Sequence, residues 1–271
     1  MKKIYPQNNI PNHSRVKNLN GLEFGLLSVT SFNSINETGH ALWNCHCNKC
    51  GNSCVINSQH LLAGVTQTCG CRDYILDESY FEYPNIENSY WAGFIAADGN
   101  VRQDKSNLRI SLHKKDKGHL LKFAKSISEV GKVKDLDTIN QVYFGVGSAK
   151  ICLDLEKNFN ITPNKSLTLV PPVLKDNRFT NAFISGYIDG DGSIGVDRGG
   201  KFFFDVAGTY EMLAYIKQFI FLFSEKPMKM AIRNRGNYFS MGGGGSRIRA
   251  ALYNFMGYVS VPRMERKWNN V

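Results

Sequence analysis

The sequence predicts an α+β protein: two pseudo-symmetric αββαββα repeats whose strands form a β-saddle, preceded by a small cysteine-rich domain. Three observations predict it. The segment Tyr90–Gly99 recurs 93 residues later as Phe183–Gly192. Each copy is followed by the same succession of helical and strand-like apolar patterns. Six of the seven cysteines crowd between Cys45 and Cys71, while Cys152 stands apart.

Composition bounds the class. The chain has 271 residues, 42% hydrophobic and 21% charged, enough for two packed domains rather than a disordered chain. No apolar run reaches the ~18 residues of a membrane span. The start Met1-Lys2-Lys3-Ile4-Tyr5-Pro6 lacks a signal-peptide core, so the expected location is intracellular, in a bacterial or phage-infected cytoplasm or an organelle, with no membrane partner. Lys and Arg total 33 against 23 Asp and Glu, and this net charge of +10 is the footprint of a polyanion binder.

In chain order, residues 1–20 read as an arm and 21–75 as the cysteine-rich module. Cys47-x-x-Cys50-Gly51 has zinc-knuckle spacing, and Cys69-Gly70-Cys71 supplies a second pair. Cys47, Cys50, Cys69 and Cys71 are therefore the expected ligands of a structural Zn²⁺, with Cys45 and Cys54 as spares that could displace one of them. The segment resembles a small module of phage-type nucleases and mobile-element proteins. The resemblance rests on Gly21-Leu22-Glu23-Phe24-Gly25, Trp43 before the cysteine-rich turn, Leu61-Leu62-Ala63-Gly64 and Cys69-Gly70-Cys71. Two residues, Asn48 and Lys49, separate Cys47 from Cys50, where that family usually has one. The resemblance implies an accessory DNA-binding role.

Residues 76–87 read as a linker, 88–172 as the first repeat and 173–271 as the second. Leu120, Phe123 and Ile127 meet Leu213, Ile216 and Ile220 at the same offset, a helical spacing in both copies. Leu108, Ile110 and Leu112 alternate with Arg109, Ser111 and His113, and Val142, Phe144 and Val146 with Gln141, Tyr143 and Gly145, as half-buried strands do. Ser148 and Ser246 are the expected N-caps of the last helices. Gly242–Gly245 reads as a flexible turn, and Pro171-Pro172 as a stiff connector.

The recurring segment carries its own chemistry. Gly93 with Ala97, and Gly186 with Gly190, put small residues on one helix face, so the two helices can pack closely. Asp98 and Asp191 then fall at the C-terminal ends, where the helix dipole and each other disfavour carboxylates. Acids in so poor a location suggest a divalent cation that offsets the cost, and hard oxygen ligands suit Mg²⁺.

These segments resemble the LAGLIDADG homing endonucleases in their single-chain, two-motif form, over roughly residues 87–271. The resemblance implies that the motif's eighth residue, Asp98 or Asp191, is the catalytic acid, with Gly99 and Gly192 beside it in the Mg²⁺ site. The sixth position is usually acidic; Asp189 keeps it and Ala96 does not. It further implies that Lys165 and Lys267, each after a copy's last helix, line the scissile-phosphate pocket. Outward strand positions expected to contact duplex DNA are Arg109, Ser111, Lys132, Lys134, Gln141, Tyr143, Lys201, Arg233, Arg235 and Tyr238. The copies differ there, so the expected target is asymmetric.

The expected function is that of a monomeric, site-specific double-strand DNA endonuclease of a mobile element, using Mg²⁺ and serving intron homing. An intron-RNA maturase and a non-cleaving DNA-binding regulator are the rivals on the same fold. Retention of both acids and both lysines favours cutting, since binding alone needs neither.

Overall fold

A computed structural model of the chain describes residues 16–70, 76–128, 133–136 and 139–271. The chain divides into two compact units, Met1–Ile75 and Leu76–Val271, each mixing helices with antiparallel sheet. Lys132 and Cys71 lie outside the described residues.

In the first unit, β1 (Glu23–Phe24), β2 (Leu27–Ile35), β3 (Ala41–Cys47) and β4 (Ser53–Asn57) form an antiparallel meander, followed by the short helix α1 (Ser58–Leu62). Alternation puts Ala41, Trp43, Cys45 and Cys47 inward, against Leu19, Leu27, Val29, Phe32 and Leu61. Two bulges in β2 keep Phe32 edge-on to Trp43, ring centroids 5.6 Å apart.

The second unit holds the repeats. The first runs α2 (Ile86–Asp98), β5 (Gly99–Val101), β6 (Leu108–His113), α3 (Lys117–Ile127), β7 (Lys134–Leu136), β8 (Gln141–Val146) and α4 (Ala149–Phe159). The second runs α5 (Asn177–Asp191), β9 (Gly192–Val196), β10 (Phe202–Gly208), α6 (Tyr210–Phe221), β11 (Ala231–Asn234), β12 (Phe239–Gly244) and α7 (Ser246–Tyr258), with a last turn α8 (Glu265–Trp268). The sheets have matching strand orders, β5-β6-β8-β7 and β9-β10-β12-β11. Leu108, Ile110 and Leu112 point inward, as do Leu120, Phe123, Ile127 and their mates Leu213, Ile216 and Ile220.

Helix α2 has no polar face. Residues 88–96 are all buried, because α5 covers one side and its own repeat the other. An Asn85–Asn88 capping box starts it, each side chain accepting from the other's backbone N–H at 2.9 and 2.8 Å.

Two local expectations need correction. Gly242–Gly244 are strand rather than turn: a Cβ at Gly242 would lie 2.6 Å from the Phe204 carbonyl oxygen and one at Gly243 2.9 Å from that of Lys229, so neighbouring backbone leaves room only for glycine. Ser148 caps α4 as expected, accepting from Ile151 N at 3.3 Å, but the cap of α7 is Gly245, one residue before Ser246. Its φ of +91° is costly for any residue with a Cβ.

Candidate active site

The two motif helices touch backbone to backbone. A Cβ added at Gly93 would run into the Phe183 carbonyl, one at Gly186 into the Tyr90 carbonyl, and one at Gly190 into Ala97 Cβ. The four small residues thus set the contact. Their packing brings both C-terminal ends together: α2 ends on Asp98, α5 on Asp191, and Asp98 Cγ lies 3.5 Å from where a Gly190 Cβ would stand.

Both carboxylates reach solvent, yet protein surrounds them closely enough to strip much of their hydration. Desolvation raises the Asp98 carboxyl above the usual range, opposed by Lys267 and Lys165. Desolvation, with the charge of Asp98 adding to it, pushes Asp191 up to about 6 against the pull of the same two lysines. Each lysine feels the acids of both copies, so the four groups form one electrostatic cluster.

Lys165 and Lys267 are buried, 5% and 8% exposed, in equivalent places. Lys165 Nζ donates to Gly99 O at 2.6 Å and reaches Ala97 O at 3.5 Å. Lys267 Nζ donates to the carbonyls of Asp189, Gly190 (3.1 Å) and Gly192 (2.7 Å). Each ammonium therefore neutralises the negative end of a motif helix, beside its acid. The Gly99 and Gly192 carbonyls spend one lone pair each on these bonds. Burial lowers both lysine pKa values, with the acids opposing. A cavity of about 180 Å³ opens beside Asp191, lined by Ala96, Ala97, Ser166, Leu169, Tyr187, Ala207, Gly208 and Tyr238.

On the first sheet, Ser111, Tyr143 and Lys134 share a cross-strand row, and the Arg109 guanidinium stacks 4.1 Å above the Tyr143 ring. Gln141 is exposed on the same strand. On the second sheet Arg233 is exposed on β11, Arg235 donates to Ser240 Oγ at 2.9 Å, Lys201 sits at the β9–β10 turn, and Tyr238 borders the Asp191 cavity. Sequence reasoning missed Phe203 and Asp205 on β10. They alternate with the buried Phe202, Phe204 and Val206, so that alternation was the available signal.

In the first unit Cys47, Cys50 and Cys69 converge, their sulfurs all within 4.8 Å, with Cys50 and Cys69 3.3 Å apart. Gly51, at φ +75°, closes the knuckle: its N–H bonds Cys47 O at 2.9 Å. Gly25 lets the chain before Cys69 approach, with Leu26 N bonded to Gln67 O at 2.8 Å. Burial raises the Cys54 pKa, and the charges of all three thiols add to it. Burial pushes Cys45 up to about 11, as for an inert core thiol.

No family model matches the sequence, and no curated protein matches it. Among solved structures, the chain is similar to the LAGLIDADG meganuclease I-CpaMI bound to uncleaved DNA, at 15% identity over 67% of this chain and 87% of that one, TM-score 0.47. It is similar to I-AabMI bound to uncleaved DNA at 15% identity, covering 68% and 86%, TM-score 0.46. It is also similar to I-SmaMI bound to uncleaved DNA with calcium ions at 13% identity, covering 68% and 87%, TM-score 0.44. Among the described residues no helix is long and apolar enough to cross a membrane.

Proposed function

We propose that the chain is a site-specific double-strand DNA endonuclease that hydrolyses one phosphodiester in each strand. One observation carries the reading: two carboxylates meet at the ends of abutting helices, each end backed by a buried lysine. That arrangement is costly for a purely structural purpose. Two acids at electronegative helix ends, one of them with its pKa pushed up to about 6, form an oxygen-rich site that a divalent cation would relieve.

Asp98 and Asp191 would hold the cation, and Mg²⁺ fits hard oxygen donors that leave room for water and phosphate. Bound there, it would supply a water of lowered pKa and stabilise charge on the phosphate. Lys165 and Lys267 fix the helix ends and lend positive charge beside the developing oxyanions. Arg109, Ser111, Lys134, Gln141 and Tyr143 on one sheet, and Lys201, Arg233, Arg235 and Tyr238 on the other, would hold the duplex. Lys132 shares that assignment by sequence alone. Both motif helices come from one chain, which supports a monomeric catalytic unit.

The first unit would carry a structural Zn²⁺ on Cys47, Cys50 and Cys69, with Cys71 or Cys54 as the fourth thiolate, and would extend the DNA footprint. The decisive experiment is cleavage of a randomised plasmid library with Mg²⁺. Linear products sharing one long asymmetric site are expected; plasmids left intact at every metal concentration would overturn the reading.

A further inference from the structure

The sixth motif position of the second copy, Asp189, is 1% exposed and takes no part in the acid pair. Its Oδ2 accepts from Tyr90 Oη at 2.6 Å and from Met264 N at 2.9 Å; its Oδ1 accepts from Trp268 Nε1 at 2.7 Å. The Tyr90 hydroxyl has one proton, given to Asp189, so it accepts from His119 Nε2–H at 3.0 Å. His119 is neutral, its pKa pushed down to about 3 by burial. A polar chain thus runs from α3 through α2 and α5 to the C-terminal turn.

That turn is α8, four residues long and too short to hold itself. Two of the three donors to Asp189, Met264 and Trp268, bracket Lys267. Trp268 is further stacked on Phe255, ring centroids 6.2 Å apart, and Arg266 pairs with Asp116 at 2.7 Å. The lysine's position therefore depends on Asp189 at both flanks.

Among the described residues the first copy has no such chain. At the 93-residue offset, Asp189 corresponds to Ala96, Tyr90 to Phe183 and His119 to Met212; Trp268, following its lysine, corresponds to Ser166. Asp189, Tyr90 and His119 are thus matched by side chains that cannot make the same bonds, and the indole of Trp268 by the much shorter Ser166. Lys165 rests instead on a turn held by Asn164 to Gln103 (2.9 Å) and Thr209 to the Leu169 carbonyl (2.6 Å).

Building on the nuclease reading above, we infer that Asp189, with Tyr90, is a positioning residue that fixes Lys267 for the cut of one DNA strand only. Asp189 is buried with its carboxylate turned to protein donors, so it acts through the segment it holds. It offers four lone-pair sites to three donors from two other segments, and an amide in its place would turn an N–H₂ toward one of them.

Two measurements on the full chain test this. In the first, folded protein is labelled with acetic anhydride and read by peptide mass spectrometry. In Asp189→Asn, Lys267 should label at least about tenfold faster because its segment opens more often, with Lys165 unchanged. In the second, a supercoiled plasmid carrying the target is followed strand by strand. One strand should be cut about a hundredfold more slowly, the loss a misplaced group incurs, so that nicked circles accumulate while the other strand keeps its wild-type rate. Tyr90→Phe removes a single donor without changing volume and should slow the same strand by about tenfold, which keeps the test open should Asp189→Asn not fold. Unchanged labelling of Lys267, or equal slowing of both strands, would overturn the inference. Wild-type protein that leaves every plasmid intact would remove the nuclease reading instead, and the labelling arm alone would then decide whether Asp189 holds Lys267.

Discussion

Lys165 Nζ lies 2.6 Å from the carbonyl oxygen of Gly99, the residue directly after Asp98. The same bond, at 2.7 Å, joins Lys267 to Gly192 after Asp191. An acid at the end of a motif helix faces its negative terminus, and here a buried ammonium from beyond each repeat's last helix tempers that terminus. The lysines are thus part of how the site is built as well as candidates for its chemistry.

Replacing either acid separates binding from cutting. Asp98→Asn or Asp191→Asn keeps the size of the side chain and leaves both sheets intact, but removes a charged oxygen ligand. Double-strand cleavage should be abolished while gel-shift affinity stays within about twofold, since neutral-for-acid exchange adds no phosphate contact. Normal cutting by either variant would sink the assignment of the acids.

The raised pKa of Asp191 has a signed consequence for stability. Its folded value, about 6, lies above the unfolded value of 3.8. Its protonated form therefore favours the fold at low pH, and that contribution is lost as pH rises through about 6. In EDTA, Asp191→Asn should melt higher than wild type at pH 7.5, and the gap should close toward pH 4. Added Mg²⁺ should raise the melting point of wild type and not that of Asp98→Asn/Asp191→Asn. A gap independent of pH would show that Asp191 is not strained in the folded state.

The glycines of the helix pair tolerate no side chain. At Gly93 a Cβ meets the Phe183 carbonyl, backbone that cannot swing aside as a side chain would. Gly93→Ala should cost about 3 kcal/mol or more, the upper end for overpacking, read by urea denaturation. Cutting should fall with it, because the helices that carry the acids are pushed apart. A variant of wild-type stability would mean the helices do not pack this closely.

The repeat, its element order and the acids at the helix ends were legible because each rests on local pattern: period, small-residue spacing and position along the chain. What was not legible was set by contacts between distant segments. Gly242–Gly244 resemble a turn until β10 is seen pressed against them, and Ser246 resembles a cap until Gly245 takes the positive φ before it. Asp189 was visible as a motif residue, but its three donors lie 99, 75 and 79 positions away. The lysines were found by position, and their bonds to the motif carbonyls only by structure. In the first unit the three converging cysteines were marked by knuckle spacing, whereas the proximity of Cys54 follows from the β3–β4 register that pairs it with Cys45.

Metal analysis distinguishes the two candidate fourth ligands. Purified protein should carry about one zinc per chain, held by thiolates. If Cys71 completes the site, Cys71→Ser should lose the metal and Cys54→Ser keep it; if Cys54 does, the pattern reverses. Zinc-free protein with a normal melting profile would remove the metal assignment altogether.

Salt dependence tests the sheet faces. A net charge of +10 and the exposed basic residues imply several phosphate contacts, each steepening the slope of log K against log[salt] by about −0.9. With six or more contacts, affinity should fall on the order of a thousandfold between about 50 and 200 mM salt. Arg109 is held by its stack on Tyr143, so it can serve either as a phosphate contact or as a base reader. Arg109→Ala should weaken all sequences equally and flatten the slope by about one if it meets phosphate, or relax preference at one base pair with the slope intact if it reads a base. Removing residues 1–75 takes away one compact unit and none of the four charged groups at the helix ends. That truncation should leave cutting chemistry in place, flatten the slope, and shorten the protected DNA on one side only. An unchanged footprint and slope would mean that the first unit does not touch DNA, and a role in folding or in binding another protein would replace the one proposed for it.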